Sequence, residues 1–478
     1  MREYDLAVIG SGGGAFAAAI HAVQLGKRVL MVERGTIGGT CVNTGCVPSK
    51  ALLAAAEAKH DGLDASRFPG LSSSTVPMDM SELMAGKRDM LESIRSEKYL
   101  DLITYYGWNL IRGDASFAGS PDAPLLDVSF PGGTTTRLRA AQYLVATGSA
   151  PWAPPVAGLE DVGYLTSSTA MELGEVPEQL LVIGGGFVAL EQAQLFARLG
   201  SKVTMLVRSR LASAGEPEAS RTLSGVFAEE GIRVVLRAVP ESVRRGLGRG
   251  LDSEIVVTAH VAGRMQEFTG THLLVATGRR PVIAGLNLSA VGVETGAQGE
   301  IPVDAALATS NPRILAAGDV TGHPEFVYVA AAQGALAVEN AFTGDCPAIN
   351  YRTLPRVAFT SPALASVGMT GREANAAGIA CECRVLPLEF VPRALVNRDT
   401  RGFIKIVAEK GSGRILGITA VAKDAGDLAA AGVYILEAGM TVEQLGRLWS
   451  PYLTMSEGLK IAAQAFATDV TKLSCCAA

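Results

Sequence analysis

Two cysteines five positions apart stand in the segment Cys41-Val42-Asn43-Thr44-Gly45-Cys46-Val47-Pro48-Ser49-Lys50, ahead of an alanine-rich stretch. Pro48 and that stretch place the pair at or near a helix start, where the helix dipole lowers a thiol's pKa and raises its thiolate fraction. Lys50, one turn on, adds positive charge. Spacing alone leaves two readings open: a redox or metal-binding pair, and two buried structural cysteines. A vicinal pair, Cys475 and Cys476, comes near the end of the sequence. Soft thiolates so placed suit a soft metal ion. Cys381 and Cys383 form C-x-C on what reads as a strand, where alternation puts both side chains on one face. An auxiliary metal site and a chance pairing are both open there, the chance pairing being the plainer reading. Cys346 reads as structural. Seven cysteines, an odd number in a large chain, argue against a disulfide scaffold.

Two glycine loops must hold the partners of such chemistry. Gly10-Ser11-Gly12-Gly13-Gly14-Ala15 follows an apolar strand (4–10) and opens a helix (14–26), with a second strand at 28–33. Gly10 permits the turn, Gly12 lets backbone approach a pyrophosphate, and Ala15 allows close helix–strand packing. Glu33 ends the second strand, where a carboxylate accepts from ribose hydroxyls. The pattern returns at 180–186, 187–200 and 202–207, with the loop Gly184-Gly185-Gly186-Phe187-Val188-Ala189. No acid ends that second strand; Arg208 and Arg210 follow it, suited to a 2′-phosphate and so to NADPH over NADH. The alternative is two arginines on a solvated loop.

These units imply an α/β fold with two Rossmann-like dinucleotide-binding domains and an α+β third part. Ala-Thr-Gly ends two alternating apolar stretches, at Gly148 and Gly278, that read as antiparallel sheet. Prolines at 151–155 mark a crossover. Strands are expected at 355–368 and 402–422, helices at 424–440 and 456–467. The expected domains are 1–151 with 279–345, then 152–278, then 346–478. Length of 478 residues and 48% hydrophobic content suit several cored domains. A net charge of −5 without a basic block excludes a nucleic-acid or anionic-membrane surface. The first residues lack the features of a secretory signal, and no apolar run reaches eighteen residues, so a cytoplasmic protein is expected.

The segment Gly38-Gly39-Thr40-Cys41 through Lys50 closely resembles the redox-active segment of the class I flavoprotein disulfide reductases. Both glycine loops, both Ala-Thr-Gly segments and Ala316-Ala317-Gly318-Asp319 extend the resemblance along the whole chain. It implies FAD on the first loop, with Gly10, Gly12, Gly13, Ala15, Glu33, Thr40, Lys50, Gly148, Gly318 and Asp319 around it. NADPH is implied on Gly184, Gly186, Ala189, Arg208, Arg210 and Gly278. Cys46 then matches the flavin-proximal thiol, Cys41 the exchanging thiol, and Glu191 an acid near the nicotinamide. A carboxy-terminal dimerisation domain is implied too.

Disulfide-reducing members of that family carry a His-Pro-Thr segment near the end. Here the stretch reads Pro451-Tyr452-Leu453-Thr454-Met455-Ser456-Glu457, and no histidine lies beyond His323. A phenol with a pKa near 10 substitutes poorly for an imidazole. Glu457 reads as structural. With the terminal Cys475-Cys476, this ending is similar to that of the mercuric reductase branch. The resemblance implies a homodimer that reduces Hg(II), presented as a thiol complex, at Cys41 and Cys46, with Cys475, Cys476 and Tyr452 of one subunit serving the other. Some members place a tyrosine where this chain has Phe187. Many carry an amino-terminal C-x-x-C domain, whereas this sequence starts at the flavin-binding strand. The rival readings are a dihydrolipoamide dehydrogenase-like or glutathione reductase-like enzyme, and a non-catalytic thiol protein that buffers soft metals.

Overall fold

The computed structural model describes residues 3–246, 254–344 and 347–472. Cys346, Cys475 and Cys476 lie outside the described residues. The chain divides into two units. The first comprises Met1–Ala51, Asp79–Trp152 and Gly278–Ile349; the second comprises Leu52–Met78, Ala153–Thr277 and Asn350–Ala478.

In the first unit the strand Glu3–Ile9 lies between Val29–Glu33 and Thr135–Val145, parallel to both. Asn109–Arg112 extends the parallel set on one side, and Ile314–Ala316 pairs with the end of Thr135–Val145 on the other. Leu6 and Val8 face one core with Ala15, Ala18, Ala19 and Ala22 of the helix Gly13–Gln24. Ala7 and Ile9 face the opposite core with Phe117, Leu126 and Tyr143. Burial on both faces explains why this strand reads as an unbroken apolar run. The alanines of Gly13–Gln24 also let the helix Val327–Thr343 approach closely. A Cβ on Gly334 of that helix would lie 2.0 Å from the Gly14 carbonyl oxygen. His21 and Glu339 pair further along the same crossing.

The described residues of the second unit form three sheets. Four parallel strands run in the order Arg233–Leu236, Lys202–Val207, Gln179–Ile183, His272–Val275. Ala238–Arg245, Ile255–Val261 and Arg264–Gly270 form an antiparallel meander. The third sheet is five-stranded and antiparallel, in the order Arg356–Ala358, Ala363–Gly368, Ile415–Ala422, Phe403–Glu409, Cys381–Pro387. The helices Ala425–Glu437 and Glu457–Gln464 share its core through Leu428, Leu436, Leu459 and Ala462.

One expectation needs correction. The stretches before the two Ala-Thr-Gly segments read as antiparallel, yet their last residues are parallel. Val145 pairs with Ile9 and Ala316, and His272–Val275 pairs with Leu180–Ile183. Only Thr135–Leu138 and Arg264–Gly270 are antiparallel. The alternation of burial runs over residues 138–141 and 267–270, whereas Tyr143–Val145 and Leu273–Val275 are buried without a break.

The helix crossing gives a stability test. Gly334→Ala forces backbone apart at a 2.0 Å contact and is expected to cost about 4 kcal/mol or more, in the range of severe core disruptions. Gly86→Ala, exposed in the helix Met80–Arg95 with no atom within 4 Å of the added carbon, is the control. It should stabilise by about 0.5–1 kcal/mol. Denaturant unfolding of the two variants should therefore diverge in sign.

Candidate functional site

The first glycine loop sits where the strand Glu3–Ile9 turns into its helix. Gly10 has φ +108°, and a Cβ there would lie 2.4 Å from the Ala146 carbonyl oxygen. Glycine is therefore demanded by the fold at Gly10. Gly12 differs: a Cβ there would meet only the Gly39 Cα, at 3.9 Å. No protein atom forbids a side chain at Gly12, so the space it leaves is available to a ligand phosphate at the helix start. Ser11 is buried; its hydroxyl donates to Glu33 Oε2 at 2.7 Å and accepts from the Gly38 N–H at 3.2 Å. Glu33 Oε1 accepts from the Gly35 N–H at 2.6 Å. Loop, acid and the start of the cysteine segment thus form one hydrogen-bonded group.

Gly39 brings the cysteines to that group. A Cβ on Gly39 would lie 2.5 Å from the Gly12 Cα, and its φ of +67° is left-handed. The short helix Gly39–Asn43 carries Thr40 and Cys41, and the helix Cys46–Leu63 begins at Cys46. Asn43 Nδ2 ties the turn down, donating to the Gly39 carbonyl at 2.9 Å and the Ile37 carbonyl at 3.0 Å. Neither cysteine is in a disulfide. The Cys41 thiol is held well above the usual thiol range, first by its hydrogen bond with Cys46 and then by burial, with the Lys50 charge opposing. The two sulfurs therefore act as a coupled dithiol.

Sequence reading missed Tyr99, on the turn Ser96–Leu100. Its ring packs edge-on against Phe16, with centroids 4.8 Å apart. Burial, then Cys41 and Cys46, push its phenol above the usual range. It therefore remains a neutral phenol near the dithiol. No local pattern marks Tyr99, since 58 residues separate it from Cys41.

Behind Ala316-Ala317-Gly318, the Asp319 carboxylate accepts from the Ser149 hydroxyl at 2.7 Å. Arg279 donates to the Ser149 hydroxyl at 2.7 Å and to the Ser149 carbonyl at 2.6 Å. The Gly318 N–H donates to the buried Gln333 Oε1 at 2.6 Å. Ser149 and Arg279 each follow an Ala-Thr-Gly segment, and their strands Ser149–Pro151 and Arg279–Pro281 pair antiparallel. That echo was visible, but the pairing of the two segments was not. Glu325 is also brought here; burial and then Asp319 raise its carboxyl, against Arg279.

On the second unit, Gly184 and Ala189 pack as in the first loop, with the Gly184 Cβ position 2.3 Å from the Ala276 carbonyl. Gly186 caps the helix Phe187–Leu199, and a Cβ there would meet nothing within 4 Å. Arg208 is exposed. Arg210 turns into its own loop, donating to the carbonyls of Ser213 (2.7 Å) and Gly215 (2.8 Å), while its buried Nη1 finds no protein partner. Glu191 is buried, and its Oε1 accepts from the Phe359 N–H at 2.9 Å.

Tyr452 also belongs to the second unit, 50% exposed. The next residue, Leu453, is left-handed with φ +60°, and its N–H donates to Glu457 Oε2 at 3.2 Å. Glu457 is thus structural, as read, and it secures the strained turn that presents the phenol. Trp449 nearby is fully exposed. Among the described residues no group of three or more His, Cys, Asp or Glu could hold a metal ion. No helix among them is long and apolar enough to cross a membrane.

Comparison with known proteins places this geometry. Residues 4–334 match the model of the pyridine nucleotide-disulphide oxidoreductases, and residues 354–463 match the dimerisation domain of that family. A protein named mercuric reductase from Streptomyces lividans is 56% identical, over 99% of this chain and 98% of its own length. One of the same name from Bacillus cereus is 44% identical, over 99% of this chain and 73% of its own. Among solved structures, LpdA from Mycobacterium tuberculosis superposes with a TM-score of 0.85 at 27% identity, covering 98% of this chain and all of that one. The flavoprotein disulfide reductase RclA from Escherichia coli, solved as a Cu(II) complex, does so with 0.85 at 25%, covering 98% and 100%.

Tyr99 gives a test of the site. Tyr99→Phe keeps the ring packing on Phe16 and removes the O–H beside the thiols. The thiolate absorbance of the reduced protein should then titrate about one pH unit higher, the equivalent of about 1.4 kcal/mol. An unchanged titration would leave Tyr99 with a packing role only.

Proposed function

The chain belongs to the pyridine nucleotide-disulphide oxidoreductase family, and from that premise we propose that it is an NADPH-dependent flavoenzyme reducing Hg(II) to elemental mercury. The observation that carries the reading is the dithiol Cys41/Cys46 seated against the first glycine loop, in a chain whose carboxy-terminal segment offers Tyr452 where disulfide-reducing relatives have histidine. The net reaction takes NADPH and Hg(II) to NADP⁺, a proton and Hg(0).

The residues present fit both cofactors. Gly12 and Gly186 each cap a helix and leave open space where a Cβ would stand. Glu33 and Asp319 suit the ribose and ribityl-phosphate ends of FAD, Asp319 being held in place by Ser149 and Arg279. Gly13, Ala15, Thr40, Lys50, Gly148 and Gly318 complete that surround, and Gly184, Ala189 and Gly278 that of NADPH. With both cofactors bound, these residues would hold a flavin able to supply NADPH's two electrons at the dithiol.

Cys41 and Cys46 do the rest. As thiolates they hold Hg(II) between them; the ion takes up two electrons, leaves as the atom, and both sulfurs remain reduced. The Lys50 charge favours the thiolate state, and we assign the neutral Tyr99 phenol as a further donor to it. Exposed Arg208 meets the 2′-phosphate, while Arg210, committed to the Ser213 and Gly215 carbonyls, shapes the loop around it. Glu191 anchors the segment at Phe359 and orients the nicotinamide side of its helix. The enzyme acts as a homodimer: the dimerisation domain exposes Trp449 and Tyr434, aromatic surface of the kind that interfaces bury. Tyr452 and the Cys475/Cys476 pair then deliver the ion to the partner's dithiol by ligand exchange.

Mercury-dependent oxidation of NADPH is the direct assay. Cys41→Ala and Cys46→Ala should each abolish it while the flavin is still bound. Turnover of lipoamide or oxidised glutathione in place of Hg(II) would overturn the reading. Replacing Cys475 and Cys476 by alanine should spare flavin reduction and turnover of Hg(II) with small ligands, yet slow turnover of Hg(II) carried by two bulky thiols.

Arg208→Glu should lower kcat/KM for NADPH by about 10- to 100-fold and spare NADH, as expected for loss of one charge-assisted bond of about 1.5–3 kcal/mol. Arg210→Ala, which frees the loop carbonyls, should weaken both nucleotides. An unchanged NADPH/NADH ratio in the Arg208 variant would remove that residue from the site.

A further inference from the structure

Cys381 and Cys383 take no part in the chemistry above, yet the fold sets them side by side. They lie on the edge strand Cys381–Pro387, opposite Glu409 and Val407 of Phe403–Glu409. Strand alternation points both side chains to one face, and Cys381 lies close enough to raise the Cys383 thiol. Residues 371–375 cover that face. The Cys381 thiol donates to Asn375 Oδ1 at 3.5 Å and to the Gly371 carbonyl at 3.8 Å. The Cys383 sulfur lies 3.0 Å from where a Cβ on Gly371 would stand, so no larger residue fits there without displacement.

A charged cluster backs the pair. Lys405 donates to Glu216 Oε2 at 2.9 Å and Glu218 Oε2 at 3.2 Å, and Glu216 Oε1 accepts from the Gly371 N–H at 2.8 Å. Burial raises the Cys383 thiol, with Cys381 and Glu216 adding to it and the Lys405 charge opposing. Both cysteines are free.

The spacing discriminates between two fates for such a pair. Residues i and i+2 of a strand have Cα atoms about 6.6 Å apart, at the far edge of the disulfide range. A disulfide also needs Cβ atoms about 3.5–4.5 Å apart, which parallel side chains on one strand face do not reach. An ion held linearly by two thiolates, with bonds of about 2.3 Å as for zinc–sulfur, needs sulfurs only about 4.6 Å apart, within reach of χ1 rotation. Thiolates select soft ions. Among the described residues no third His, Cys, Asp or Glu completes a metal-binding group, so a tetrahedral zinc site is not built here.

We propose that Cys381 and Cys383 form a second metal site, binding one soft, two-coordinate ion such as Hg(II) as a bis-thiolate. Two S–H bonds break, two metal–sulfur bonds form, two protons pass to solvent, and no electrons move. The site binds without turning over, and it stands whether or not the reductase reading does, because exchange at these thiols needs neither flavin nor nucleotide.

The test uses the full-length flavin-loaded protein without NADPH. Hg(II) is added with excess 2-mercaptoethanol, and the mercury retained per chain after gel filtration is counted. The wild type should retain one ion more than Cys381→Ser, Cys383→Ser or the double variant, and these three should agree, since a single thiolate cannot outcompete the free thiol. Mercury-dependent NADPH oxidation should be unchanged in the double variant. Equal retention by wild type and double variant overturns the proposal, as does a single variant that retains as much as the wild type. Should the variants fail to fold, the wild type alone decides. Hg(II) must protect Cys381 and Cys383 together from N-ethylmaleimide at pH 9, and alkylation of either at its metal-free rate overturns the site.

Discussion

The approach of Gly39 to Gly12 governs the first unit. With the Gly39 Cβ position only 2.5 Å from the Gly12 Cα, two backbones touch that a side chain on Gly39 would separate. That contact seats the turn bearing Cys41 and Cys46 on the loop proposed to receive a pyrophosphate. Ser11 and Glu33 reinforce it, joining the loop, the second strand and Gly38 through short hydrogen bonds. Electron transfer from a cofactor to a sulfur pair requires the two to be adjacent, and here adjacency is built into main chain. Main chain tolerates fewer adjustments than side-chain packing does.

The electrostatics of the site follow from that seat. Burial and mutual hydrogen bonding hold a proton on the Cys41 sulfur, while Lys50 opposes. Tyr99, kept neutral by burial and by the same thiols, adds no charge beside them. A dithiol so poised releases protons when a thiophilic ion binds, which couples metal capture to pH. The contrast with Cys381 and Cys383 is instructive. There too burial protects the thiols, but their contacts are with residues 371–375 and the Lys405–Glu216 cluster, so the same ligand chemistry supports binding alone.

The carboxy-terminal turn shows strain used for presentation. Leu453 adopts a left-handed backbone that costs a non-glycine residue about 1–3 kcal/mol, and the buried Glu457 carboxylate offsets part of this by accepting its N–H. The outcome is a phenol held at the surface. Proteins of this family place that part of the chain in a dimerisation domain, so an exposed Tyr452 has a natural destination.

Much of this protein was legible in its residues. Both strand–glycine–helix units, Glu33, the Cys41–Lys50 segment and the strand bearing Cys381 and Cys383 follow from local rules of turn geometry, helix starts and alternation, which act over a few residues. The structure alone decided what acts across sequence distance. It paired the two segments that follow Ala-Thr-Gly, so that Arg279 and Ser149 brace Asp319, and it brought Tyr99 to the thiols. It committed Arg210 to the Ser213 and Gly215 carbonyls and left Arg208 exposed. It showed the last residues before each Ala-Thr-Gly to be parallel, because burial on both faces there leaves no periodicity from which direction could be read. Hydrogen bonds and contacts between residues 58 to 170 positions apart have no local signature, and packing is what settles them.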